Sequence, residues 1–193
     1  ADAVTISATI MDAQTAVANA KLWWRVGESG DFTEAAMTDD GSGNYAADIP
    51  AQSDGDFVNY FITAADDEGD ATIAPADTSA GLFFYFVRNG GATIADVQFA
   101  PFASDASSFL GLEVTLTGIV TTDTTHFSMY WIQDGTDPWS GIQILDNVNQ
   151  VVPGDEVTVT GQVEEFFGLT RINSVSSVVV NSSGNAVPDP VSV

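Results

Sequence analysis

The stretch "EVTLTGIV" (residues 113–120) decides how the second half of this chain is read, and "EVTVTGQV" (156–163) nearly repeats it. Apolar residues alternate with threonine in both, the period-two pattern of a half-buried strand. Each pattern is broken at a similar place by a glycine, Gly118 and Gly161. A glycine inside a strand marks a bend or the close approach of another backbone. Both strands are therefore expected to curve strongly, as barrel strands do.

Working outward, "MYWIQD" (129–134), "GIQIL" (141–145) and "LTRINSVSSVVV" (169–180) complete a set of five strands. Five curved strands of this length predict a small Greek-key barrel of the OB type. The segment between "YWIQD" and "IQIL" reads as a hairpin turn, because Asp134-Gly135 and Asp137-Pro138 are turn chemistry. Alternation sets Tyr130 and Ile132 on the face opposite Trp131. The tail "NSSGNAVPDPVSV" (181–193) carries two prolines and reads as extended.

Upstream the period is again two. "VTISATI" (4–10) places Val4, Ile6, Ala8 and Ile10 on one face, and "KLWWRV" (21–26) sets Leu22, Trp24 and Val26 against Trp23 and Arg25. "FTEAAM" (32–37), "YAADI" (45–49), "FVNYFITAA" (57–65) and "GLFFYFV" (81–87) follow, separated by the turns "DDGSGN" (39–44) and "DDEGD" (66–70). Short strands with turn signals between them, and no helical run of ten or more, predict a β-sandwich. "RNGGA" (88–92) is a glycine-rich joint. The expected organisation is all-β: a sandwich over 1–88, a linker with a short irregular or helical segment over 89–111, and a barrel with an extended tail over 112–193.

Composition narrows the function. The 193 residues are 45% hydrophobic, and four Lys+Arg against 27 Asp+Glu leave a net charge of -23. Residues 1–88 hold 15 of the acids with three bases, and residues 89–193 hold 12 with Arg171 as the single base. A charge spread this evenly is a property of the whole surface. Saline surroundings would screen it, since the Debye length is ~3 Å near 1 M salt, and a marine or salt-tolerant bacterium is the expected source. The same field repels phosphate backbones and anionic membranes. The longest apolar run, "LFFYFV" (82–87), is far short of the ~20 residues of a membrane span, so no membrane insertion is expected. There is no cysteine, which excludes disulfides, thiolate metal sites and a thiol nucleophile. No leader opens the sequence, so an export signal is expected to have been removed or to lie upstream.

The lines "KLWWRVGESGDFTEAAMTDDGSGNYAADIPA" and "DFVNYFITAADDEGD" resemble the immunoglobulin- or fibronectin-III-like modules of secreted bacterial proteins. The marks "VTLTGIVTTD", "YWIQDGTDPWSGIQILD", "VVPGDEVTVTGQVEEFFGLTRI" and "NAVPDP" resemble a bacterial extracellular OB-fold domain, found beside secreted nucleases and in surface proteins. The resemblance implies a secreted or cell-surface location and two scaffold-type domains, and it names no ligand.

Candidate sites follow from chemistry. The single histidine, His126, stands in a loop segment with no nucleophile motif near it, so no enzyme is expected. Asp66, Glu68, Asp70 and Asp77 occupy positions 1, 3, 5 and 12 of "DDEGDATIAPAD", an echo of a calcium loop. Ala71 stands where such a loop needs glycine, and an acidic hairpin turn explains the same residues; Ca2+ is a candidate ion, with "DDGSGN" a second acidic turn of the same kind. An OB barrel binds single strands on the face of its second and third strands and on nearby loops. Tyr130, Trp131, Phe127, Phe166 and Phe167 offer stacking there, worth ~1–3 kcal/mol per base. Phosphate also needs cations, and Arg171 stands alone beside Glu164 and Glu165, so nucleic acid is not the expected partner. A sugar or peptide tolerates the charge: Trp139, Tyr130 and Phe166 would stack, with Asp134 and Asp137 accepting hydroxyls. The alternative is that Trp131 and Trp139 plug or rim the barrel. "NSS" (181–183) matches a glycosylation sequon, a pattern that three residues also produce by chance.

Strand-like termini complete the set. "AVTISATI", with Val4 and Ile6, and "VPDPVSV", with Val191 and Val193, are apolar and extended, and each could add a strand to a neighbour's sheet or complete its own domain. The preferred expectation is a non-catalytic extracellular structural protein that meets other protein subunits, itself included, and builds an array or filament. The alternative is a ligand-binding accessory region of a secreted nuclease or hydrolase.

Overall fold

The alternating runs do fold as strands. The computed structural model describes residues 2–100, 105–122 and 128–187, and the chain is all-β apart from one short helix. It divides into two compact units, Ala1–Asn89 and Gly90–Val193.

The first unit contains β1 (Val4–Thr9), β2 (Val17–Val26), β3 (Thr33–Ala36), β4 (Thr38–Asp39), β5 (Asn44–Ile49), β6 (Phe57–Asp66), β7 (Ala71–Ala74) and β8 (Phe83–Phe86). One sheet has the order β1-β5-β4 and the other β3-β2-β6-β7, with β8 also paired to β6. Ile6 and Ile49 from the first sheet meet Leu22, Val58 and Ile62 from the second in one core. Full burial of a Leu, Ile or Val side chain stabilises by roughly 1.5–3 kcal/mol, so these inward residues hold the sheets face to face. Two strands go beyond the sequence pattern. β2 begins at Val17, before the expected Lys21, and β7 forms within what reads as an acidic loop. Both are recruited by pairing with β6, from Val17↔Asp66 at one end to Ala71↔Ala65 on the other side. Strand propensity yields to a neighbour's backbone in this way.

The second unit contains α1 (Ile94–Gln98), β9 (Glu113–Val120), β10 (Met129–Gln133), β11 (Gly141–Leu145), β12 (Glu156–Phe166) and β13 (Leu169–Ser182). The five strands close into a barrel in the order β10-β11-β13-β12-β9, with β11–β13 the parallel pair. Leu116, Tyr130, Ile132, Ile144, Val157 and Ile172 fill it. Gly118 and Gly161 let it close. A Cβ on Gly118 would lie 3.0 Å from the Gln133 carbonyl oxygen, where β9 leaves β12 and meets β10. A Cβ on Gly161 would lie 2.6 Å from Ile172 Cγ2, beside the register shift between β12 and β13.

Residues 89–111, expected as a linker with a short irregular or helical segment, hold the short helix α1, which packs against the barrel. Thr93 and Asp96 form a capping box at the start of α1, satisfying two backbone donors that a helix start leaves open. Ile94 and Val97, three apart on one face, are fully buried with the barrel core. A five-residue helix is too short to display a 3.6-residue period, so the sequence leaves its bounds open.

The hairpin of β12 and β13 outruns the barrel. β13 pairs with β11 only at Arg171↔Gln143 and Ile172↔Ile144. Beyond Ser174, which takes a left-handed φ of 48°, the segment 175–182 keeps β12 as its sole partner strand among the described residues.

Candidate functional site

The face of β10 and β11, where an OB domain would bind, is built by register. Trp131 lies across from Gln143, Gln143 from Arg171, and Arg171 from Glu164, so the four residues form one row over four strands. Trp131 is half-buried and Gln143 buried. The β12–β13 turn rises beside the row and carries Phe166 and Phe167, packed edge to face at 4.7 Å.

Arg171, the one base of this unit, is only 8% exposed. Its Nε donates to Glu164 Oε2 at 2.7 Å, and its guanidinium lies 3.8 Å from the Phe166 ring centroid. A guanidinium held by a carboxylate and a ring face in this way is spent on the fold, and a phosphate would have to displace both. Glu165 is equally occupied, accepting from Thr170 Oγ1 at 2.7 Å and from the Ser107 N–H at 2.9 Å. The expectation of a ligand-facing Arg171 is therefore corrected to a buried anchor.

Tyr130 is corrected too. Its ring is fully buried inside the barrel and its hydroxyl has no hydrogen-bond partner, so it offers nothing to a base or a sugar. Burial, with a smaller contribution from Asp146, pushes its phenol far above the ordinary range. Among the described residues the most exposed aromatics are Phe167, at 96%, and Trp139, at 70%, with Phe166 at 44% beside the Arg171 guanidinium. Phe167 and Trp139 take left-handed backbone, φ 51° and 72°, which L side chains enter at a cost. Trp139 does not plug the barrel; it stands out from the β10–β11 turn, below which the Ser140 hydroxyl and N–H donate to the Asp137 carbonyl. Asp134, named as a sugar acceptor, instead accepts the Ile94 N–H at 2.9 Å and so caps α1. Desolvation raises its carboxyl above the usual range, and Asp96 adds to this.

The calcium reading is corrected by the same kind of geometry. Asp66 Oδ1 accepts the backbone N–H groups of Glu68, Gly69 and Asp70, which closes the turn between β6 and β7. Asp77 Oδ1 accepts the Ser79 N–H and hydroxyl, which lowers its carboxyl pKa. β7 occupies the middle of the supposed loop, so Asp66, Glu68, Asp70 and Asp77 do not converge. Asp39 and Asp40 cap the "DDGSGN" turn likewise. Among the described residues, no three His, Asp or Glu side chains gather as a metal site.

Val4 and Ile6 lie in β1, their side chains half-buried and buried in the sandwich core. What β1 leaves open is its backbone: among the described residues it is an edge strand whose one partner is β5. Val191 and Val193, with His126 and Phe127, lie outside the described residues.

Sequence reasoning missed the placement of the bases. All four Lys and Arg stand over an aromatic ring: Lys21 over Trp23, Arg25 over Phe32, Arg88 over Phe86 and Arg171 over Phe166. In the first unit they decorate the outer face of the larger sheet, where Trp23 stacks on Phe61 and donates its Nε1–H to Thr63. The alternation of Lys21, Trp23 and Arg25 on one face was the available signal.

Compared with known proteins, the chain matches no family model and no curated relative. Among the described residues no helix is long and apolar enough to cross a membrane.

Proposed function

We propose that this chain is a non-catalytic extracellular structural protein that associates with copies of itself by strand addition. The observation that carries the reading is the edge of β1. It is six residues long, "VTISAT", with one side unpaired among the described residues, and residues 3–11 hold no charge and no proline. Sheet proteins ordinarily blunt such edges with charge, proline or a bulge. An unprotected edge on a chain of net charge -23 is a place for a specific partner strand, because the charge elsewhere opposes random contact. The immunoglobulin-like and OB-like resemblances, both of scaffold domains, agree with this role, and the closed five-stranded barrel supports the OB-like reading. The charge fits a saline extracellular setting. Electron microscopy and light scattering of the purified chain, across salt and with and without millimolar calcium, test the proposal. Ordered multimers are expected, and a strict monomer under every condition overturns it.

A second reading rests on Phe167 and Trp139, two large aromatics held in solvent. They would serve a ligand-binding accessory region that stacks on a carbohydrate. Glycan-array binding lost in Phe167→Ala and Trp139→Ala would favour it. Single-stranded nucleic acid is the weaker ligand, since Arg171 is already neutralised by Glu164.

A further inference from the structure

We infer that the acceptor for the β1 edge of one copy is the overhanging edge of β13, residues 175–182, in the next. The inference rests on the self-association just proposed and names its second surface. On its other side this segment is unpaired among the described residues. It reads "VSSVVVNS", and from Ile172 to Gly184 there is no charged residue and no proline. Val179 and Val180, which point to opposite faces of the strand, are 53% and 47% exposed. A strand that exposes valines on both faces and a row of backbone donors and acceptors is a template for another strand.

The occupant is a second copy for three reasons. Among the described residues, the uncharged stretches of six or more strand residues with an open side are this one and β1, and they lie on different units; the edge strands β7 and β8 are uncharged too but only four residues long. Over most of the surface two copies bring like charge together, at a net -23 each, whereas these strips do not. The alternation also matches. With inner faces aligned, Val4, Ile6 and Ala8 continue the row of Val178 and Val180. On the outer side Thr5, Ser7 and Thr9 lie beside Ser177 and Val179, a pairing of hydroxyl and β-branched side chains that favours sheets. Pairing β1 with β13 satisfies both open edges with one contact. Pairing either edge with itself closes a dimer and leaves the other edge open. The β1–β13 contact is heterologous, so each added copy brings a further open edge and the copies build a filament or a ring rather than a two-fold dimer.

The chain has no cysteine, which makes cross-linking a clean test. Full-length Ser7→Cys is mixed with Ser177→Cys or Val179→Cys under mild oxidation, and each variant is oxidised alone. The expected result is a disulfide dimer between unlike variants and at least tenfold less from any variant alone. Val179→Lys should abolish multimers in light scattering while its circular dichroism stays that of the parent. Adducts only between like variants, or multimers that persist in Val179→Lys, overturn the β1–β13 pairing and leave self-association standing. A parent chain that stays monomeric overturns both.

Discussion

The two units start from the same alternating strands and treat their edges in opposite ways. The sandwich stacks two open sheets, so β1 ends one of them with its outer backbone bare. The barrel bends its sheet until β10 meets β9 and edges vanish, except where β13 runs on past Ile172. The sandwich needs only inward apolar residues to hold its sheets. The barrel also needs glycines inside two of its strands, Gly118 and Gly161, where backbones touch. Closure therefore demands more of the sequence at a few positions, and openness leaves more surface for partners.

That contrast can be broken from the inside. Tyr130→Ala should unfold the barrel most readily, with a loss of about 3–5 kcal/mol as for other large aromatics cut from a core. Tyr130→Phe should be neutral or stabilising, because the hydroxyl it removes has no partner. Urea unfolding followed by tryptophan fluorescence measures both. Gly161→Ala comes next. The added methyl meets Ile172 and the Asn173 carbonyl, and overpacking of this kind costs about 1–3 kcal/mol. In the sandwich the tightest approach is at Gly43, whose added Cβ would lie 3.3 Å from the Ile10 carbonyl oxygen on a left-handed backbone, so Gly43→Ala in the same assay is the comparison.

A smaller effect separates two roles of one carboxylate. Asp134→Ala removes the cap on Ile94 and should cost about 1 kcal/mol, whereas Asp134→Asn keeps an acceptor. The folded-state pKa of Asp134 is raised, so its protonation favours the folded protein. That contribution is present at low pH and is lost as pH rises through the raised value. Thermal melts from pH 4 to 8 should therefore show Asp134→Asn gaining on the parent as pH rises. Asp12, Asp40, Asp77 and Asp155 have lowered values set by hydrogen bonds. Their contribution runs the other way: it is present above the ordinary carboxylate range and lost as pH falls through the lowered values. Smallest of all, Phe167→Ala should leave stability within about 0.5 kcal/mol, since the ring lies almost wholly in solvent. A large loss there would mean the tip is structural, and the contrast between barrel and loop would need redrawing.

The strands of both units were legible because alternation reports burial directly, as Leu22 against Trp23 and Ile132 against Trp131 do. Gly118 and Gly161 were legible because few causes interrupt a strand with glycine. The site residues were not. Tyr130 and Phe166 look alike in sequence, and only the third dimension puts one inside the barrel and the other at its rim. Asp66 and Asp77 have calcium spacing, yet their oxygens already hold turn amides, and a pattern of letters does not say which lone pairs are taken. β7 and the early start of β2 escaped notice because a partner strand, rather than their own residues, makes them strands. The overhang of β13 was hidden for a related reason: a strand's length is written in the sequence, but the length of its neighbour is not.

The capped turn of α1 sets where the chain can be divided. A protein engineer dividing the gene by strands alone would begin the second half at Leu112 and discard the helix. That fragment would carry a void where Ile94 and Val97 sit, along with an Asp134 deprived of its amide. A cut before Gly90 keeps plug and barrel together, so the joint "RNGGA", not the first strand, is the place to graft this module onto another protein.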